Sequence, residues 1–424
     1  MLGANVAISA NPIEETRMHL LRVKGFLCLA VALLLATSAL AAPFDPQRLA
    51  MLDQALQAEV EQGRLAGIAL LIERDGEQVY RREVGYQDLA SQTPLAEDSL
   101  YKIFSLTKPV TAVAVLMLVE EGKLALDQAV EHYLPEFKDL QVAIADGEDG
   151  RPVTEPASHP VTLRELMNYT GGFSYGRFSQ SQVDTLYEQA DLFSTDQTLA
   201  EMVAKVAALP LRQQPGTLWH YSISVDIQAR IVEVVTGQPY AEFLAERIFQ
   251  PLGMHETAYQ VTPEQAPRLV TSYHPVAGEG LKPLPNDGYL LSPKLTMGGS
   301  GLISSMDDYL RFARMLLNEG ELDGVRLLKP ESVRMMASNQ LPEGVAGPNW
   351  APGNLFGLNV AVVNDPEPAG FLPVGTFWWW GIQGPWMWVD PSNDTVILGM
   401  MQNTDYRHSR VVHNTISQIL YRQR

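Results

Sequence analysis

Cysteine is almost absent from this 424-residue chain, and its one copy, Cys28, sits in an N-terminal apolar stretch. A mature chain beginning near residue 42 therefore carries no thiol. That excludes an intramolecular disulfide, a thiolate metal site and cysteine redox chemistry. An excess of positive charge is also missing: 49 acidic side chains face 31 basic ones, a net charge of −18. Residues 1–42 hold three basic and two acidic side chains, so without them the charge is −19. Such a chain repels nucleic acid and anionic membrane surfaces, and no nucleic-acid partner is expected. The plainer meaning of the charge is a soluble acidic surface. Two hydrolase signatures are missing as well. No G-x-S-x-G occurs; Gly298-Gly299-Ser300-Gly301-Leu302 comes nearest and ends in the wrong residue, so there is no nucleophile elbow. No H-E-x-x-H occurs, and the seven histidines beyond residue 42 are scattered. Nothing points to a metal or a cofactor, and none is expected.

What is present begins with an export signal. Residues 18–42 read MHLLRVKGFLCLAVALLLATSALAA. Arg22 and Lys24 form a basic start, Phe26 to Leu35 an apolar run, and Ala39-Leu40-Ala41 a small-residue cleavage site. This pattern predicts a secretory signal peptide, with the mature protein periplasmic or secreted. The apolar run is too short for a comfortable span, so no stable membrane anchor is expected after cleavage. Met1 and Met18 both remain open as translation starts.

Along the rest of the chain, strands sit at both ends and helices in the middle. Ala66 to Ile72 and the alternating Gln78 to Val84 flank Asp75-Gly76 and predict a hairpin. An apolar helix runs from Leu106 to Glu121 and stops at Gly122. Further helices are predicted after Thr162, over Thr198–Leu209, Val225–Val235 and Tyr240–Phe249, and after the cap Ser305. Ala266 to Pro293 is rich in Pro and Gly and predicts an irregular excursion. Leu355–Val363, Thr376–Trp380, Trp386–Val389 and Thr395–Gln402 read as strands, and His408–Arg422 as a closing helix. One antiparallel sheet built from both ends is the natural assembly, α/β (α+β) in class. The sheet region is about 43–125 and 305–424, with a mainly helical insertion over about 126–304.

Three elements carry chemistry. Ser105-Leu106-Thr107-Lys108 is an S-x-x-K, matched by a second at Ser99-Leu100-Tyr101-Lys102. Only Ser105 falls at the start of a helix, near orphan N–H groups and the positive end of the dipole. Lys108 shares its face three residues on and can take the serine proton. Tyr221 lies in Pro215-Gly216-Thr217-Leu218-Trp219-His220-Tyr221-Ser222, a turn that runs into a helix, where a phenol can face a cleft. Trp379-Trp380-Gly381-Ile382 lies on a strand that can bring a backbone N–H to an oxyanion.

Together these residues resemble family VIII carboxylesterases and the wider class C β-lactamase and penicillin-binding group. The likeness runs from about Pro43 to the C-terminus and includes SLTKPVTAVAVLMLVEEGKL, VTLRELMNYTGGFSYG, PGTLWHYSISVDIQARIVEVVTGQPYAEF and WWGIQGPWMWVDP. The resemblance implies a β-lactamase/DD-peptidase-like fold, an antiparallel sheet flanked by helices with the site between sheet and helical domain. It implies Ser105 as nucleophile, Lys108 and Tyr221 as its activators, and the N–H groups of Ser105 and Ile382 as an oxyanion hole. Trp379, Trp380 and Gly381 stand where the family has its Lys-Thr-Gly box, and with Phe173 and Tyr175 they are expected to bind substrate, a small ester or amide. Ile223 replaces an asparagine and Trp379 a lysine of the β-lactamases, which favours esters over β-lactams. A β-lactamase, a D-amino peptidase, an acyltransferase or a catalytically silent binding protein of the same fold are the alternatives. Which of Lys108 and Tyr221 is the acylation base stays open, as does the oligomeric state.

Overall fold

The predicted hairpin opens the sheet in the computed structural model of the protein, which describes residues 44–177 and 180–422. The chain divides into two units, Met1–Asp45 and Pro46–Arg424, and the second holds every element below. The expected N-terminal extension and signal peptide, 1–42, lie outside the described residues. Strand β1 (Gly67–Arg74) turns at Asp75-Gly76 into β2 (Glu77–Asp88), followed by β3 (Thr93–Pro94). Asp75 and Gly76 have φ of 53° and 76°, the left-handed pair that a two-residue hairpin turn needs to follow the strand twist.

Five more strands come from the C-terminal third: β4 (Asn354–Phe356), β5 (Ala361–Val363), β6 (Phe377–Trp380), β7 (Trp386–Asp390) and β8 (Thr395–Met401). The eight strands form one antiparallel sheet in the order β4-β5-β6-β7-β8-β1-β2-β3. Both ends of the sequence thus meet where β8 pairs with β1, from Ile68 opposite Met401 to Arg74 opposite Thr395. The run Leu355–Val363, expected as a single strand, is instead the hairpin β4/β5. Its apolar residues hide a turn that Gly357 N–H closes onto the Val360 carbonyl at 2.9 Å.

Helices cover both faces. Helix α1 (Pro46–Glu61) packs against the closing helix, here α5 (Tyr406–Tyr421). On the other face lie α2 (Thr107–Glu120), α3 (Ser224–Thr236) and α4 (Met306–Leu317), with α4 on β7 and β8 and α2 against α3. Every residue of α2 from Thr107 to Leu118 is buried, which explains why its sequence is apolar all round rather than striped. The region 126–304 is mainly helical, with two small hairpins the sequence did not announce: Gln141–Ala145 with Val153–Pro156, and Tyr273–Val276 with Gly280–Pro283. The helix expected over Tyr240–Phe249 is broken into an α segment, Tyr240–Leu244, and a π-turn, Ala245–Phe249. Among the described residues no helix is long and apolar enough to cross a membrane.

Candidate active site

A short strand, Leu100–Lys102, pairs with Ile303–Ser305 and delivers the chain to a tight 3₁₀ turn, Phe104–Leu106, which runs into α2. Phe104 enters that turn with φ of 46°, a left-handed conformation costly for a bulky side chain and held only by its surroundings. The Tyr309 hydroxyl donates to the Leu106 carbonyl at 2.7 Å and pins the turn from α4. Ser105 was expected at the start of the helix. The cap position itself is Leu106, with no side-chain hydrogen bond, and Ser105 sits in the turn that leads into the helix. Its hydroxyl is therefore not spent on backbone groups.

That hydroxyl lies between a phenol and an amine. Ser105 Oγ is 2.8 Å from Tyr221 Oη and accepts from Lys108 Nζ at 3.1 Å. Lys108 is buried at 1% exposure, and its amine also donates to the Gly299 carbonyl at 2.6 Å. The Tyr221 ring is boxed by Tyr169, Tyr175 and Trp379, with centroids at 5.5, 5.1 and 5.6 Å, and is stacked with Trp219 at 6.4 Å. Lys108 Nζ lies 5.0 Å from the centre of the Tyr221 ring and 5.5 Å from that of Tyr175. A nucleophile within reach of an amine and a phenol, backed by aromatic walls that restrict water, is a geometry for acyl transfer through a serine.

The close approach of β6 to this turn depends on Gly381. A Cβ there would lie 2.5 Å from the Ile103 carbonyl oxygen and 3.1 Å from Phe104 Cβ. Immediately beyond, the N–H of Ile382 has no acceptor among the described residues, and neither does the N–H of Ser105.

A model of the beta-lactamase family matches residues 52–421. The chain belongs to the beta-lactamase family. Esterase EstB of Burkholderia gladioli is 33% identical over 88% of this chain and 92% of its own. Lovastatin esterase of Penicillium rubens is 30% identical over 74% of this chain and 79% of its own. Among solved structures, EstCE1, described as a hydrolase with promiscuous acyltransferase activity, superposes with a TM-score of 0.76 at 25% identity, covering 88% of this chain and 99% of its own. The family, the antiparallel sheet flanked by helices and the hydrolase class agree with the resemblance read from the sequence.

Within this beta-lactamase-family fold the remaining expected site residues fall on different sides. Trp379 is buried against Tyr221 and Phe356, and Tyr175 also touches Tyr221. Trp380, expected in the substrate site, is not there. Alternation along β6 turns it to the face opposite Trp379, where it meets His413 of α5 at 5.8 Å; Trp350 touches both rings, at 5.8 Å from Trp379 and 6.2 Å from Trp380. Phe173, also expected to bind substrate, is fully buried and packs edge-on against Phe137, with no ring contact to Tyr221 among the described residues. Ile223 is also fully buried. The second S-x-x-K is divided by its strand: Ser99 Oγ donates to Gln87 Oε1 at 3.2 Å, while Lys102 Nζ donates to Asn286 Oδ1 at 2.7 Å. Burial holds the Lys102 amine down at about 7.

Sequence reasoning missed Gly299 and Asp226. Gly299 belongs to the very segment set aside for lacking a nucleophile elbow. Asp226 sits in the first turn of α3, five residues after Tyr221, and is completely buried. Burial pushes its carboxyl up to about 6, opposed by the charge of Lys108 and by the Gly299 N–H donating at 3.0 Å. The signal was there: an acid among the apolar positions of YSISVDIQARIV, on the helix face turned inward.

Proposed function

We propose that the protein hydrolyses carboxylic esters of small substrates through an acyl-enzyme on Ser105. The observation that carries this reading is the contact chain from Tyr221 Oη through Ser105 Oγ to Lys108 Nζ. Ser105 Oγ attacks the ester carbonyl as its proton passes to Lys108 or Tyr221. The carbonyl π electrons move onto oxygen, which the N–H groups of Ser105 and Ile382 receive. Collapse expels the alkoxide, which takes a proton from the phenol side, and water then attacks the acyl-enzyme by the same route. Tyr175 and Trp379 supply an uncharged aromatic wall, so neutral acyl groups are favoured over unpaired carboxylates.

The similarity to EstCE1 supports a second outcome for the same intermediate, transfer of the acyl group to an alcohol in place of water. The N-terminal pattern Arg22 to Ala41 supports export, with the mature chain starting near residue 42. The deciding experiment compares wild type and Ser105→Ala on short-chain p-nitrophenyl esters, with a fluorophosphonate probe read by mass spectrometry. Wild type should be labelled at Ser105, and the variant should lose about 10³-fold or more in kcat. Equal rates would overturn the reading.

A further inference from the structure

Across the Gly299 peptide from Lys108 lies a buried acid that the acyl-transfer steps leave unused. Asp226 Oδ1 accepts the Gly299 N–H at 3.0 Å, and the carbonyl of the same glycine accepts from Lys108 Nζ at 2.6 Å. Its other oxygen, Oδ2, is buried without a hydrogen-bond partner, a state that costs free energy and calls for a reason. Gly299 supplies the geometry. A Cβ placed on it would lie 3.0 Å from Asp226 Oδ2, 3.0 Å from Tyr175 Oη and 3.2 Å from Lys108 Nζ. Carboxylate, phenol and amine therefore face one small space that only a glycine leaves open.

We propose that Asp226 is a positioning residue for Lys108: through the Gly299 peptide it fixes the amine against Ser105, and its negative charge stabilises the ammonium formed when Lys108 takes the serine proton. The inference rests on the reading of Ser105 as nucleophile and extends it to a third group across the Gly299 peptide from the base. The physical need is plain. An amine that becomes an ammonium in a buried site gains a charge whose desolvation must be offset nearby, and a base is commonly oriented by a further group behind it. The step balances: the Ser105 O–H bond breaks, the proton joins the Lys108 lone pair, and the oxygen's electron pair forms the bond to the carbonyl carbon. Asp226 exchanges no proton in it.

The groups facing Asp226 are Lys108 from α2, Tyr169 and Tyr175 from the loops after Met167, Tyr240 from the segment after α3, and Tyr259. The four tyrosines are all raised by burial, with the nearby Asp226 charge adding to the shift. They stay neutral through the range in which Asp226 titrates. Lys108 is the one group among them that becomes positive on taking up a proton. As pH falls through about 6, Asp226 gains a proton, the countercharge disappears, and ester hydrolysis should fall with it.

The test is the pH profile of kcat and KM for Asp226→Asn, beside wild type and Gly299→Ala. Asparagine keeps the shape and the hydrogen bond to Gly299 N–H but carries no charge. The expected result is a kcat lower by about 10- to 100-fold on the alkaline side, KM within about threefold, slower fluorophosphonate labelling of Ser105 in the same proportion, and loss of the acid limb near pH 6. A purely structural role would lower stability and leave the shape of the profile intact; that result, or an unchanged kcat, overturns the proposal. Should Asp226→Asn fail to fold, Gly299→Ala keeps the charge but forces it away from the amine. It should lower kcat and retain the acid limb, and an unchanged kcat there overturns the proposal equally. Absence of labelling at Ser105 in wild type would instead refute the serine mechanism itself.

Discussion

Replacing Gly381 by alanine should disable the site without touching any reactive group. The added Cβ would lie 2.5 Å from the Ile103 carbonyl oxygen, 2.9 Å from Pro385 Cγ and 3.1 Å from Phe104 Cβ, against ordinary contact from 3.4 Å. None of the three is the free end of a flexible side chain: one is a backbone oxygen, one a proline ring atom and one a Cβ. Gly381 N–H is bonded to the Pro385 carbonyl at 2.7 Å, and Gly384 N–H closes back onto Gly381 at 2.8 Å. The strand end must therefore move away from the Ser105 turn by about 0.9 Å, and a misplacement of that size costs on the order of 10²-fold in rate. The shift would carry the Ile382 N–H away from the place proposed above for the oxyanion, so the loss should fall on kcat more than on KM. The assay is steady-state hydrolysis of p-nitrophenyl acetate and butyrate, with a thermal melt to confirm the fold. Wild-type kcat/KM in a well-folded Gly381→Ala would refute both the close approach and the role given to Ile382.

Two further outcomes are expected. Trp380→Gly should leave the acyl chain-length profile unchanged and lower stability by about 3 kcal/mol, towards the lower end for a tryptophan because the ring is only half-buried, since it packs on His413 on the face opposite Trp379; a profile widened towards longer chains at unchanged melting temperature would place the ring in the cleft after all. Glu59 links α1 to α5: burial opposes its ionisation, but hydrogen bonds from His408 and Arg64 outweigh it and hold its carboxyl at about 2. Its folded value is below its unfolded one, so the stabilisation is complete above about pH 5 and lost as pH falls towards 2. After allowance for solvent screening it is on the order of 1–2 kcal/mol. Glu59→Gln should flatten that part of the stability curve, and an unchanged acid transition would show the link to be idle.

Much of the fold was written locally. The hairpin at Asp75-Gly76, the capping box at Thr162 and Glu165, the cap at Ser305 and the left-handed stop at Gly237 each depend on residues a few positions apart, and periodicity and turn chemistry report such features directly. Ser105, Lys108 and Tyr221 were legible because their segments occur together in a recognisable order. The tertiary structure decided what depends on which way a side chain faces and what stands behind it. Trp379 and Trp380 are neighbours of the same kind, and only the register of β6 against β7, with Trp379 opposite Met387, sends one to Tyr221 and the other to α5. Ser99-x-x-Lys102 and Ser105-x-x-Lys108 have the same spacing; a strand parts the first pair and a helical turn joins the second. Asp226 and Gly299 are 73 residues apart. No local pattern brings a carboxyl to a glycine at that distance, because their meeting is fixed by α3 packing beside α2 and by the segment before Leu302 passing over both.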